Sequence, residues 1–266
     1  MSRASMTARG CVIGAVILAG AIVFHGSARA THTPDITDDE SKCQLKASLS
    51  IAKFIFKKAN CVDACQKKAF KNPAVLPDCA PPYGGATAGC VQSAEGKYAG
   101  LIQSKCGPDC PECYSGGNCQ ANADAKIATA EAHVDALLAD VFCDDSGSTD
   151  GLTIAEFKCQ RSVRKFATKF VADKMKCLAH CRKGEHKGKV AVGDCDPPAA
   201  DPKTQLCIAK REARWAARID GKCEAAVNPS ADEPECGPYP ANDGAAWIAA
   251  EEAEVDQQDA DFHCGS

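Results

Sequence analysis

Residues 37–65 read TDDESKCQLKASLSIAKFIFKKANCVDAC, and residues 153–181 read TIAEFKCQRSVRKFATKFVADKMKCLAHC. Each stretch opens on a threonine with a glutamate three residues later. Each then places Lys-Cys-Gln at the same distance and ends on Cys-x-x-x-Cys after seventeen intervening residues. The match extends outward. The first copy carries Cys43, Cys61, Cys65, Cys79, Cys90, Cys106, Cys119 and Cys143. The second carries Cys159, Cys177, Cys181, Cys195, Cys207, Cys223, Cys236 and Cys264. Five of the seven intervals are identical, at 17, 3, 13, 15 and 12 residues. Asp78-Cys79-Ala80-Pro81-Pro82 matches Asp194-Cys195-Asp196-Pro197-Pro198, and Tyr98 and Ile102 match Trp215 and Ile219. Agreement at this many fixed spacings marks an internal duplication.

Both openings are helix N-termini. Thr37 and Thr153 can cap the first free amides, and Glu40 and Glu156 can reach back to the cap amide. Leu152 is placed to pack on Phe157 as a hydrophobic staple. The first helix of each copy is expected over about 38–70 and 154–183, since neither segment contains proline or glycine. Ala47, Ile51, Phe54, Ile55 and Val62 recur on the side that carries Cys43 and Cys61. Phe166, Phe170, Val171 and Leu178 do the same in the second copy. A Pro- and Gly-rich loop surrounds Cys79. A second helix is expected over about 88–105 and a third over about 121–141. No segment alternates as a strand does.

Lengths constrain the bridges. Cys43 and Cys61 lie eighteen residues apart, roughly 27 Å of helix. Cys90 and Cys106 lie sixteen apart, roughly 24 Å. Two antiparallel helices can therefore be joined at both ends, Cys43 to Cys106 and Cys61 to Cys90. Cys65 then takes Cys79, and Cys119 takes Cys143. The second copy repeats this as Cys159–Cys223, Cys177–Cys207, Cys181–Cys195 and Cys236–Cys264. Eight cysteines allow 105 pairings, so this set is one choice made on length.

The chain has 266 residues, 19 cysteines and a net charge of −4. Residues 1–30 read as a secretory signal peptide. Arg3 and Arg9 precede an apolar run from Cys11 to Phe24, and cleavage is expected after Ala30 in Ala28-Arg29-Ala30. Its removal would leave 18 cysteines, an even number, and a net charge of −7. Export with paired cysteines predicts a secreted or periplasmic location with no membrane span after cleavage. Residues 31–147 and 148–266 are then the two eight-cysteine domains, the first also holding Cys110 and Cys113. The expected fold class is all-α, two tandem disulfide-stapled domains of three helices each.

Candidate chemistry is sparse. Cys110-Pro-Glu-Cys113 has no counterpart in the second copy. Haem attachment needs a histidine where Tyr114 stands, and a zinc site lacks two further ligands. A small structural disulfide, Cys110–Cys113, is the reading adopted; a thiol–disulfide redox pair is the alternative. The segment Asp144–Glu156 resembles a calcium loop, which is a weaker alternative. With Asp150 and Gly151 at positions 5 and 6, Glu156 falls at 11 rather than 12, and Ser146 and Ser148 stand where acids belong. The histidines show no paired ligand spacing, and no nucleophile or phosphate-loop motif is present. No catalytic, cofactor-binding or metal-binding residue is assigned, and no cofactor is expected.

Charge is segregated. Residues 42–71 hold eight lysines against Asp63, and residues 158–189 hold eleven Lys or Arg against Asp173 and Glu185. The closing helix is acidic, with Glu251, Glu252, Glu254, Asp256, Asp259 and Asp261. One reading is a solvated face partly neutralised by the acidic helix beside it. Another is a basic stripe that meets an anionic polymer or envelope surface. Nucleic acid is not expected as a partner, given export and few aromatics.

The Lys-Cys-Gln opening, the lysine-rich first helix, Cys-x-x-x-Cys and Asp-Cys-x-Pro-Pro resemble a set of uncharacterised secreted, cysteine- and lysine-rich helical repeat proteins of environmental bacteria. The resemblance covers nearly the whole chain beyond the leader. It implies a bacterial, exported origin and lends no catalytic residue. The expected role is a non-catalytic extracytoplasmic binding or structural module.

Overall fold

The computed structural model describes residues 37–107, 118–142, 152–223 and 243–262. The described residues form six α-helices and no strand: α1 (Asp38–Ala69), α2 (Gly85–Cys106), α3 (Cys119–Phe142), α4 (Ile154–His186), α5 (Pro202–Asp220) and α6 (Gly244–Phe262). One 3-10 turn, Pro73–Asp78, lies in the loop around Cys79. The fold is all-α with disulfide staples.

Local chemistry explains the element ends. Thr37 and Thr153 each accept from the N3 amide at 3.2 Å. Glu40 and Glu156 accept from the cap amides at 2.7 and 2.6 Å. Both capping boxes are complete. The acceptance of the cap amide also holds the Glu156 carboxyl below the usual carboxylate range. Gly85, at φ +48°, opens α2 in a conformation that suits glycine. The helix α4 runs on through Gly184 to His186, beyond the stop expected at Lys183. A single glycine costs a helix only about 1 kcal/mol.

Six disulfides have both cysteines among the described residues. They join Cys43 to Cys106, Cys61 to Cys90 and Cys65 to Cys79, and in the second copy Cys159 to Cys223, Cys177 to Cys207 and Cys181 to Cys195. Each copy's first two helices are thus bolted together at both ends. The expected pairs Cys110–Cys113, Cys119–Cys143 and Cys236–Cys264 involve residues outside those described. Cys119 itself is disulfide-bonded. The acidic segment Asp144 to Gly151 also lies outside them.

The long helices α1 and α4 pack against each other in antiparallel fashion. At one end of this seam His186 pairs with Asp38 at 2.6 Å. At the other, Phe70 and Phe157 stack at 4.3 Å, with planes 1° apart. The ring of Phe157 thus meets Phe70 of the other copy. Moved by the 116-residue offset between Cys43 and Cys159, contact 38–186 falls at 154–70, within one turn of the observed contact between Phe157 and Phe70. The copies are thus related by an approximate two-fold axis, which passes near Phe54 and Phe170. Both of these are fully buried. On the outer flanks α2 packs on α1 and α5 on α4, while α3 and α6 close the bundle. One hydrophobic core runs through both copies without interruption.

Candidate functional site

The first feature to build is a pair of buried lysines. Lys58 and its repeat mate Lys174 are 0 % and 1 % exposed. A buried ammonium is costly unless paired. Lys58 bonds Glu131 at 2.6 Å and Asp135 at 2.6 Å, both from α3. Lys174 bonds Glu252 at 2.9 Å and Asp256 at 2.5 Å, both from α6. A third carboxyl joins each group, Glu95 in the first copy and Glu212 in the second. Burial, then the neighbouring Glu131, pushes Glu95 upward. Burial and the hydrogen bond with Glu252 push Glu212 up to about 7. Burial also acts on Glu252, but the bonds from Glu212 and Lys174 outweigh it and hold that carboxyl down. The two centres knit each copy's third helix to its first. Two of the lysines counted in the basic first helices thus face inward against the acidic helices.

Sequence reasoning missed these centres. It did not set Lys58 opposite Lys174, Glu95 opposite Glu212 or Glu131 opposite Glu252. Aligning the copies on their cysteines would have shown all three pairs.

The seam between copies has its own polar knot. Asp63 receives Arg161 in bidentate fashion, at 2.8 and 2.7 Å, and Arg164 at 2.9 Å. Arg164 also donates to Asn60 at 2.8 Å. Burial raises the Asp63 carboxyl, but the two guanidinium groups overcome this and hold it below the usual range.

Beside the seam lies a groove of about 710 Å³. Its two long sides are Leu49, Ala52, Lys53, Phe56, Lys57 and Asn60 from α1, and Lys169, Ala172, Asp173, Lys176 and His180 from α4. The spacing on each helix is three and four residues, so each set is one continuous stripe. Tyr98 from α2 and Trp215 from α5, a matched pair in the repeat, wall the groove. The lining is predominantly apolar, with basic groups along the rim. Asp173 is the one acidic lining residue, and it is engaged by Lys176 at 3.1 Å, Trp215 Nε1 at 3.2 Å and Arg211 at 3.7 Å.

Around Trp215 the cations crowd. Arg214, Lys169 and Arg218 sit 4.5, 5.3 and 5.8 Å from its ring centre. Burial, then Lys165, Arg218 and Arg214, pushes the Lys169 ammonium below its ordinary value.

Three sulfurs, from Cys43, Cys106 and Cys119, lie within 4.8 Å of one another. All three belong to disulfides, so none is the thiolate a metal needs. Glu156 gives its carboxylate to the helix cap.

Compared with protein-family models, with curated proteins and with solved structures, the chain matches none. Its disulfides suit an oxidising environment outside the cytoplasm. None of the described helices is long and apolar enough to cross a membrane.

Proposed function

We propose that this protein is a non-catalytic, exported binding module whose ligand lies in the groove between the two copies. The supporting observation is the groove itself. A concave, mostly apolar site of this size with a few polar groups is the usual form of a small-molecule site. It lies where α1 and α4 meet, so duplication and binding are served by the same seam. The clustered ionisable groups elsewhere are tied to helix packing: each buried lysine is held by two carboxylates, and Asp63 by two arginines.

A neutral apolar reporter tests this reading. N-phenyl-1-naphthylamine should brighten on binding one site per chain in the oxidised protein. Ala172→Trp, which fills the groove from α4, should abolish that signal while leaving the helical circular dichroism intact. Equal brightening of the native and filled proteins would overturn the assignment. The protein should also fail to accelerate insulin reduction by dithiothreitol. Acceleration that is lost when Cys110 and Cys113 are replaced by serine would favour the thiol–disulfide alternative.

A further inference from the structure

Resting on the binding-module reading, we infer that the groove takes a single-chain anionic amphiphile: a free long-chain carboxylate lying along α1 and α4, with its head between Lys57 and Lys169. The shape suits an extended ligand. From Leu49 to Asn60 the stripe on α1 spans eleven residues, about 16 Å of helix. It is open along that length, so an extended chain can lie in it with its flank against α1 and α4. Leu49, Ala52, Phe56 and Ala172 supply apolar surface for the chain.

Charge fixes the sign of the head group. The rim carries Lys53, Lys57, Lys169, Lys176 and His180 against Asp173 alone. Asp173 is already held by Lys176, Arg211 and Trp215. A cationic head would therefore meet repulsion without a vacant acid to offset it. Lys53 and Lys57 are exposed and have no carboxylate partner among the described residues.

Register places the head. The pairs Asp38–His186 and Asp63–Arg161 fix how α1 runs against α4, and that alignment brings Lys57 and Lys169 to the same end of the groove, two residues out of register. Lys169 is half-buried over the Trp215 ring amid Lys165, Arg214 and Arg218. A carboxylate there relieves a crowd of like charges, and the low exposure strengthens the attraction. The chain then runs towards Leu49, past Ala52 and Ala172.

The test uses the full-length oxidised protein after leader removal. Dodecanoate, dodecan-1-ol and dodecyltrimethylammonium are titrated below their aggregation limits, with Trp215 fluorescence and calorimetry as readouts. Dodecanoate should bind one per chain and about tenfold or more tighter than the alcohol, with the ammonium weakest. That advantage should shrink as salt rises. The double variant Lys57→Gln with Lys169→Gln should bring dodecanoate to the level of the alcohol. Ala172→Trp and, independently, Leu49→Trp should abolish binding of both, with the thermal transition checking that each variant folds. Equal affinity for alcohol and carboxylate, or an unchanged double variant, would overturn the anionic assignment while leaving the groove a binding site. Failure of all three probes to bind, or undiminished binding by both filled variants, would overturn the groove reading as well.

Discussion

At one end of the α1–α4 seam Asp63 is clamped between Arg161 and Arg164. At the other end the corresponding positions are Ala179, Leu45 and Ser48, and Ala179 is packed at 1 % exposure. The backbone arrangement is shared, but at these mirrored positions the chemistry is ionic around Asp63 and largely apolar around Ala179. Two nearly equivalent helices could pair in more than one register. A buried ion pair that fits only one of them penalises the alternatives, which is the best-attested use of such pairs. The packing around Ala179 needs only matched volume. The matched residues of α1 and α4 therefore give the seam its shape, and the residues that differ make its register unique.

The loops differ in the same way. In the second copy Glu185 accepts from the amides of Gly193 and Cys195 at 2.9 and 3.2 Å, and Arg182 pairs with Asp196 at 2.7 Å. The first copy has Ala69 and Gln66 at those places; its loop carries the Cys65–Cys79 bridge, the Asn72 side chain accepting from the Ala74 amide, and Tyr83. Tyr83 lies over Lys58 at 5.1 Å and donates to Asp135. Its mate in the second copy is Ala199.

Asp63→Ala should be the most damaging single change to the seam. It leaves Arg164 buried without its carboxylate, and the expected loss is about 3–5 kcal/mol, read from denaturant unfolding. Ala179→Ser at the mirrored place should cost about 1 kcal/mol or less. Comparable losses at both positions would remove the distinction between them.

Removing a loop bridge should come next. Cys65→Ala with Cys79→Ala opens a closure of 14 residues, worth about 3 kcal/mol in the unfolded-chain account. The matching change at Cys181 and Cys195 opens the same length. There the Glu185 and Arg182 bonds should keep the loop ordered, so amide exchange around Cys195 should remain slower than around Cys79. Equal exchange in the two variants would show that Glu185 holds nothing.

The buried lysines sharpen the comparison further. Lys58→Met and Lys174→Met should each cost about 2 kcal/mol, because their carboxylates are partly exposed and can rehydrate. Lys58→Met should be the worse of the two, since Tyr83 also loses its cation. Thermal unfolding of the pair decides this, and a larger loss at Lys174 would contradict it.

The smallest effect is on pH dependence. Glu212, pushed up to about 7 from an ordinary 4.5, folds with its proton on. Its contribution is complete below pH 4.5 and is lost as the pH rises through about 7. Asp63 works in the opposite sense: its contribution is present above its ordinary 3.8 and disappears as the pH falls through its lowered folded value. Between pH 5 and 7 stability should therefore decline gently with rising pH. Glu212→Gln should flatten that slope, and the change should stay below the ~1.4 kcal/mol per unit of a fully buried group, because Glu212 is only half-buried. A slope unchanged by this substitution would place the protonated carboxyl elsewhere.

Much of this protein was written along the chain. The capping boxes at Thr37 and Thr153, the helices that follow and the pairing of Cys43 with Cys106 and Cys61 with Cys90 depend on spacing. A helix turns 3.6 residues at a time and rises by a fixed step, so sequence distance converts directly to length. Other features depended on which helix lies against which. Nothing local distinguishes Lys57, on the groove rim, from Lys58, wholly buried; a step of 100° around α1 separates water from the carboxylates of α3. Likewise nothing local to Phe157 points to Phe70; the antiparallel crossing of α1 and α4 brings the two rings together. The groove exists only because Tyr98 and Trp215 stand on either side of that crossing. Spacing along the chain accounts for the matched cysteine sets, the helices and the staples. The tertiary structure decided the seam, the buried charges and the groove, because those depend on through-space pairing of two similar helices that no spacing along one chain can specify.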